Sequence, residues 1–310
     1  MGSELALKRQ LRSTDDKETS AVDSDGLARL MSDLRPRLHR YCTRMVGSAF
    51  DGEDVVQDAL ANAIQAFPAA GEIQHPESWL LRIAHNAALD ALRRRKRQGY
   101  AESGDDVLSN LPDHGAQADE RVAAAASLAN FLHLSTIQRS TVVLADVLGY
   151  SLAETAEMLG VSLAAVKSAL HRGRARLQEL AAAPDDARPT LTGEDRERLN
   201  AYAGHFNARD FDALRDMLSA EVRLDLVNRV RLAGRKDVSV YFTRYEQNPA
   251  CRVRLGQAEG RLVLLASDPG VSTADVAYVI LLDWAEDRLA AIRDFRYAPY
   301  VMDSLAVQSV

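Results

Sequence analysis

The segment Ser151–Leu177, SLAETAEMLGVSLAAVKSALHRGRARL, restricts what this chain can fold into more than any other stretch. Ser151 and Glu154 have the spacing of a capping box, which opens a helix by satisfying its free amides reciprocally. Gly160 permits the tight turn that follows, and Ser162 is placed to cap a second helix. Two short helices around a glycine, the second turning basic toward its end, form a helix-turn-helix in spacing and polarity. Val166, Leu170 and Leu177 share its inward side. Ala164, Ala165, Lys167, Ser168, His171 and Arg172 face a DNA major groove, with Arg174 and Arg176 set for phosphates further along. Plain helical hairpins share parts of this pattern; the capping box, the glycine turn and the one-sided basic helix together favour nucleic acid. The net charge of −6 means that such binding has to come from local patches.

A second patch lies upstream. Leu27, Leu30, Met31, Leu34, Leu38, Tyr41 and Met45 recur at helical steps until Gly47. A helix then starts at DGEDVVQDALANAIQAF, with Asp51 as the expected N-cap and Val55, Val56, Leu60, Ile64 and Phe67 as its buried face, and Pro68 stops it. Pro76 opens a third helix, PESWLLRIAHNAALDALRRRKR, whose apolar side is Trp79, Leu80, Ile83, Ala84, Ala87 and Ala91. Arg82, Asn86, Asp90, Arg93, Arg94 and Arg97 project elsewhere, and the Arg/Lys cluster at one end is the footprint of phosphate binding or of a solvated terminus. Residues 1–22 read as a disordered tail. The segment from Gly99 to Glu120 carries six acidic residues and no Lys or Arg, and reads either as a spacer or as a mimic of a nucleic-acid strand.

Beyond a short linker ending at Thr192, expected to be a helix N-cap, the periodicity changes. Two helices are followed by stretches that suit strands, EVRLDLV, RVRLAG, CRVRLGQAE, RLVLLAS, TADVAYVILLDWA and LAAIRDFRYA, with a helix around KDVSVYFTRY. This order predicts an α+β domain with a mainly antiparallel sheet. Cys42 and Cys251 fall in different domains and read as small buried residues, which excludes a disulfide framework or a cysteine metal site. No apolar run approaches the roughly 20 residues of a membrane span, so a cytoplasmic location and no membrane partner are expected.

Residues 23–182 resemble an extracytoplasmic-function, group 4 sigma factor of bacterial RNA polymerase. DGEDVVQDALANAIQAF is similar to sigma region 2.2, ESWLLRIAHNAALDALRRRKR to regions 2.3 and 2.4, and the helix-turn-helix to region 4.2. The resemblance implies a non-catalytic polymerase subunit without cofactor or metal. Asp54, Gln57 and Asp58 would face the clamp helices of the largest polymerase subunit; Asn86, Asp90, Arg93, Arg94 and Arg97 the −10 element; Lys167, Ser168, His171, Arg172 and Arg174 the −35 element. The partners implied are core polymerase, through its clamp helices and flap, and promoter DNA. Family members commonly read GTVKSRL where this chain has AAVKSAL, so a long side chain expected at Ala169 is missing and base reading would rest on the remaining positions.

LNAYAGHFNARDFDALRDMLSAEVRLDL resembles the SnoaL-like branch of the nuclear-transport-factor-2-like superfamily, a cone of curved sheet wrapped by helices. Relatives include isomerases and cyclases that use a buried Asp with a Tyr or His, which makes Tyr202, His205, Asp225, Tyr241, Trp284 and Asp294, together with Phe206 and Tyr278, candidates to line a pocket for an unknown small ligand. Core packing of the aromatics, and ion pairs of Asp225 and Asp294 with Arg223, Arg229, Arg293 or Arg296, are the competing roles. The expected organisation is therefore multidomain: tail 1–22, all-α sigma region 2 at 23–97, acidic linker 98–118, all-α sigma region 4 at 119–183, linker 184–191, and an α+β SnoaL-like cone at 192–310 that packs on the sigma core and modulates it. The rivals are a SnoaL-like isomerase or hydrolase carrying a DNA-binding helical module, and a dimeric repressor, for which coiled-coil heptads are missing.

Overall fold

The computed structural model describes residues 24–98, 126–181 and 193–310. The expected N-terminal tail, the acidic linker beyond Gln98, and the second linker with Thr192 lie outside them. Three helices come first: α1 (Ser24–Val46), α2 (Ala49–Ala66) and α3 (Pro76–Arg97). Gly47, at φ +78°, breaks α1 from α2, and a side chain there would strike Leu132. The α2 N-cap is Ser48, not Asp51: its extended backbone brings Oγ within 3.2 Å of the Asp51 amide, and the Asp51 carboxylate pairs with Arg95 instead. Ile64 also departs from expectation, being 57% exposed; Ala63 is the last buried residue of α2.

Region 126–181 adds α4 (Leu128–Leu132), α5 (Thr136–Val142) continuing into a π turn at Val143–Val147, α6 (Leu152–Leu159) and α7 (Leu163–Ala181). The capping box at Ser151 and the left-handed Gly160 turn form as the sequence requires. One apolar core spans both helical regions, with Leu38, Tyr41 and Met45 of α1 packed among Leu80 of α3 and Phe131, Val143 and Leu177. Buried Arg139 of α5 donates to the Met45 carbonyl, and Arg37 of α1 to the Leu148 carbonyl at 3.1 Å. These bonds satisfy carbonyls at the helix ends that have no intrahelical partner or replace lost solvent.

The last region runs α8 (Gly193–Ala208), α9 (Phe211–Met217), β1 (Leu218–Leu226), β2 (Val230–Ala233), α10 (Arg235–Glu246), β3 (Arg252–Ala258), β4 (Arg261–Ser267), β5 (Tyr278–Ala285), β6 (Arg288–Asp294), a 3-10 turn at Pro299–Ser304 and β7 (Val307–Ser309). The seven strands form one sheet in the order β2-β1-β6-β5-β4-β3-β7. β1 and β6 run parallel and the other neighbours antiparallel, so the expected α+β architecture is present, with β7 as an addition to it. Tyr202 and Phe206 of α8, Phe211 of α9, and Phe242 and Tyr245 of α10 fill the space between the helices and Leu224, Leu264, Ile280 and Ile292 of the sheet. Phe206 meets Tyr245 edge-on with ring centres 4.9 Å apart. Ala49 and Phe50, from the start of α2, belong to this same core.

Candidate nucleic-acid and polymerase interfaces

Two basic faces stand clear of the cores. On α3, Asn86, Asp90, Arg93, Arg94 and Arg97 are all exposed, while Leu80, Leu81, Ala84, Ala87, Ala88 and Leu92 bury the opposite side. Arg93 pairs with Asp90 at 3.0 Å and Arg94 crosses to Asp58 of α2, also at 3.0 Å. Such exposed pairs contribute little to stability and exchange readily for phosphate. Arg95, in the middle of the run, turns the other way: it donates to the Val46 carbonyl at 2.9 Å and pairs with Asp51, tying α3 to the α1–α2 junction. Between α2 and α3 lies an open groove of about 590 Å³ lined by Asp51, Asp54, Asp58, Arg94, Arg95 and Gln98.

On α7, Val166, Leu170 and Leu177 are buried and Lys167 and Ser168 exposed, with Arg172 donating to Ser168 at 2.9 Å and His171 half-buried. Two positions differ from expectation here. Arg174, expected at the −35 element, makes a two-pronged pair, at 2.9 and 2.6 Å, with Asp146, whose side chain is only 2% exposed. Ala169 is not a groove position lacking a long side chain; it is 1% exposed and faces inward beside Gly173. The helix packs so closely on α5 at this level that a β-carbon on Gly173 would lie 2.6 Å from Val142 Cγ2.

The three α2 residues expected to meet the polymerase are already engaged. Arg293 of β6 grips the Asp54 carboxylate with bonds of 3.1 and 2.7 Å, and Arg231 of β2 donates to Gln57. Asp58 faces the groove and Arg94. Burial pushes the Asp54 carboxyl up from its ordinary range, against the pull of Arg293. One helical step back, the Glu53 side chain is fully buried between Arg35, at 2.5 Å, and Tyr300, whose hydroxyl donates to it at 3.0 Å. At the start of α2, Glu259 accepts from the Ala49 amide at 2.5 Å and from Ser48 Oγ at 2.7 Å, which places a carboxylate on the positive end of the helix. Phe50 packs on Phe295 with ring centres 5.3 Å apart, and His39 on Tyr300 at 5.2 Å. Burial lowers the His39 pKa to about 4, so the ring is neutral and its Nε2 donates to the Ala49 carbonyl at 3.0 Å. The partners Arg231, Glu259, Arg293 and Tyr300 carry no local signal in the sequence: each acts across more than 170 residues.

The pocket candidates separate. Asp294 and Tyr241 share a chamber of about 70 Å³ at the end of α10. Asp294 is fully buried and accepts from Tyr241 at 2.8 Å, Tyr245 at 2.6 Å and the Arg296 amide at 2.8 Å, so hydroxyls and backbone satisfy it rather than the arginine side chains expected. Burial raises its pKa and those three donors oppose the shift. Tyr202 is buried nearby, its hydroxyl without a hydrogen-bond partner. The other candidates are elsewhere. His205 pairs with Asp210 at 3.2 Å on the surface of α8, Asp225 pairs with Arg231 and Arg293 on the face toward α2, and Trp284 lines a different groove with Arg198 and Arg261. Phe206 is core, and Tyr278 bonds to Tyr245 and Cys251. Among the described residues no group of His, Cys, Asp and Glu is disposed to hold a metal, and no helix is long and apolar enough to cross a membrane.

Residues 30–98 match the family model for sigma-70 region 2, and residues 131–177 that for sigma-70 region 4. The fold and its two helical faces thus define a sigma-70-type chain. SigM of Mycobacterium tuberculosis, an ECF RNA polymerase sigma factor, is 38% identical over 147 residues, 46% of this chain and 71% of SigM. SigG of the same species is 34% identical over 215 residues, 60% of this chain and 57% of SigG, so the chain spans little more than half the length of that relative. SigW of Bacillus subtilis is 26% identical over 57% of this chain and 97% of its own length. Among solved structures, M. tuberculosis SigJ aligns over 88% of this chain and 98% of its own, at 21% identity and a TM-score of 0.34. The chain belongs to the extracytoplasmic-function RNA polymerase sigma factors.

Proposed function

We propose that this chain is the promoter-specificity subunit of a bacterial RNA polymerase. In this reading α3 contacts the −10 element through Asn86, Asp90, Arg93, Arg94 and Arg97, and α7 contacts the −35 element through Lys167, Ser168, His171 and Arg172. The polymerase clamp helices meet Asp54, Gln57 and Asp58, and the C-terminal domain modulates that engagement. One observation carries the reading: both helices leave a polar, basic face exposed while burying the other side in a common core. Affinity for DNA comes mainly from the polymerase, which agrees with a chain of net charge −6. In this reading the C-terminal domain is regulatory, and the three donors to the Asp294 carboxylate hold the end of β6 against α10.

Transcription in vitro tests it, with core polymerase of the source organism, a library of its genomic fragments and sequencing of transcript 5′ ends. Full-length chain is expected to start transcripts at a shared pair of elements. The double variant R93A/R97A should abolish initiation while keeping core binding, and K167A/R172A should relax the −35 preference. No chain-dependent start sites from any fragment, with the full-length chain or with a version truncated before the C-terminal domain, would refute the proposal.

A further inference from the structure

The β1–β2–β6 end of the C-terminal sheet is shaped to stand in for a polymerase surface. We infer that this domain and the polymerase clamp helices occupy the same stripe of α2 and exclude each other, so that the chain holds itself out of holoenzyme until the domain undocks. The inference rests on the sigma-factor reading above, which assigns Asp54, Gln57 and Asp58 to the polymerase.

Glu53, Asp54 and Gln57 lie on adjoining positions of one helix face. Arg231 and Arg293 bring two guanidinium groups to that face, and Arg293 meets Asp54 in the two-pronged geometry that makes arginine–carboxylate recognition specific. A partner that binds the same acidic stripe has to present cations in the same places, and both cannot be there at once. Asp58 and the groove beside it stay open, so the occlusion covers one side of the site and leaves the other for a first encounter.

The contact is also built to come apart. Of the charged groups across it, Glu53, Arg231 and Arg293 keep a partner on their own side, while Asp54 and Glu259 have theirs across the contact. Glu53 has Arg35, and Arg293 has Asp225, 3.7 Å from its Nε. Asp54 is already 53% exposed in the docked state. Separation therefore strands no buried charge, the event that makes breaking an ordinary buried ion pair so unfavourable. The apolar part is Ala49 and Phe50, with Leu128 of α4, against the C-terminal core and His39 against Tyr300, with Glu259 over the helix end.

The test uses the full chain and a reversible lock. Cys42 and Cys251 are fully buried, so S48C/E259C can be joined by a short cleavable thiol cross-linker across the contact without touching the polymerase residues. Affinity for core polymerase is then measured by fluorescence anisotropy before and after cleavage. The locked form is expected to bind at least about tenfold more weakly than the same molecules after release, since a competent state held near zero population raises the apparent Kd by that fraction. R293E, which sets a carboxylate against Asp54, is expected to bind core about fivefold more tightly than the unmodified chain on the same argument. A locked form that binds core as tightly as the released form, or a folded R293E that binds no better than the unmodified chain, overturns the inference. Failure of the released, unmodified and folded R293E chains alike to bind core would instead sink the sigma-factor reading.

Discussion

Two positions separate Arg172 from Arg174 on α7, and the burial of their partners divides their roles. Half-buried Arg172 bonds, among the described residues, to Ser168 on the surface, so its guanidinium can leave for DNA. Arg174 is held by Asp146, whose side chain is almost completely buried. Removing Arg174 leaves a buried carboxylate uncompensated, which destabilises by about 3 kcal/mol. Arg174→Ala is thus expected to shift the urea midpoint strongly downward. Arg172→Ala should change stability by less than about 0.5 kcal/mol, as for a surface residue away from special features. Promoter binding by holoenzyme should respond the other way, with Arg172→Ala weakening −35 recognition and leaving the fold intact. Equal destabilisation by the two changes would show that the Asp146 pair does not anchor the helix. The sequence alone could not make this distinction, because Asp146 is on another element and both arginines fall in the same basic run.

At the scale of elements, what could be read in advance was what local chemistry dictates. The capping box at Ser151, the positive-φ turn at Gly160 and the Ser162 cap are decided within four residues, and all three formed. The cap of α2 lies three residues before Asp51 because two good cap residues, Ser48 and Asp51, compete there, and Arg95 from α3 draws Asp51 away. The inward position of Ala169 is hidden from local pattern for a similar reason: its burial depends on how closely α5 approaches α7. That approach yields a prediction at Gly173. Alanine would gain about 1 kcal/mol of helix propensity, but its β-carbon would collide with Val142 Cγ2 at 2.6 Å. Overpacking of a core of this kind costs about 1–3 kcal/mol, so the collision wins. Gly173→Ala should lower Tm, and adding Val142→Ala should destabilise by less than the sum of the two single changes. Simple additivity in the double-mutant cycle would mean that the helices do not touch there.

On the scale of the whole molecule, α1 is the element that both other bodies hold. Arg35 and His39 face Tyr300 of the C-terminal domain, while Arg37 and the Met45 carbonyl are bonded to the helices of region 4. The shared core of regions 2 and 4 has a consequence when set against DNA. A helical body of this size has a radius of gyration of about 14 Å, so it is roughly 40 Å across. Elements centred near −10 and −35 are separated by about 25 base pairs, or some 85 Å at roughly 3.4 Å per pair. One closed body cannot reach both, so the proposed function requires region 4 to leave the core it shares with α1 when the chain engages a promoter with polymerase. Exposed Gln65 on α2 and Gln178 on α7 are suited to carry dyes as Q65C/Q178C, since both native cysteines are buried. Energy transfer should be high in the free chain and fall sharply in the promoter complex, reporting a separation greater by several tens of ångströms on the same geometric argument. If the C-terminal domain guards the first step, the locked S48C/E259C chain should keep high transfer when core polymerase and promoter are added, and lose it on cleavage of the cross-link. Transfer that stays high in a complex actively making transcripts would show that regions 2 and 4 read DNA without parting.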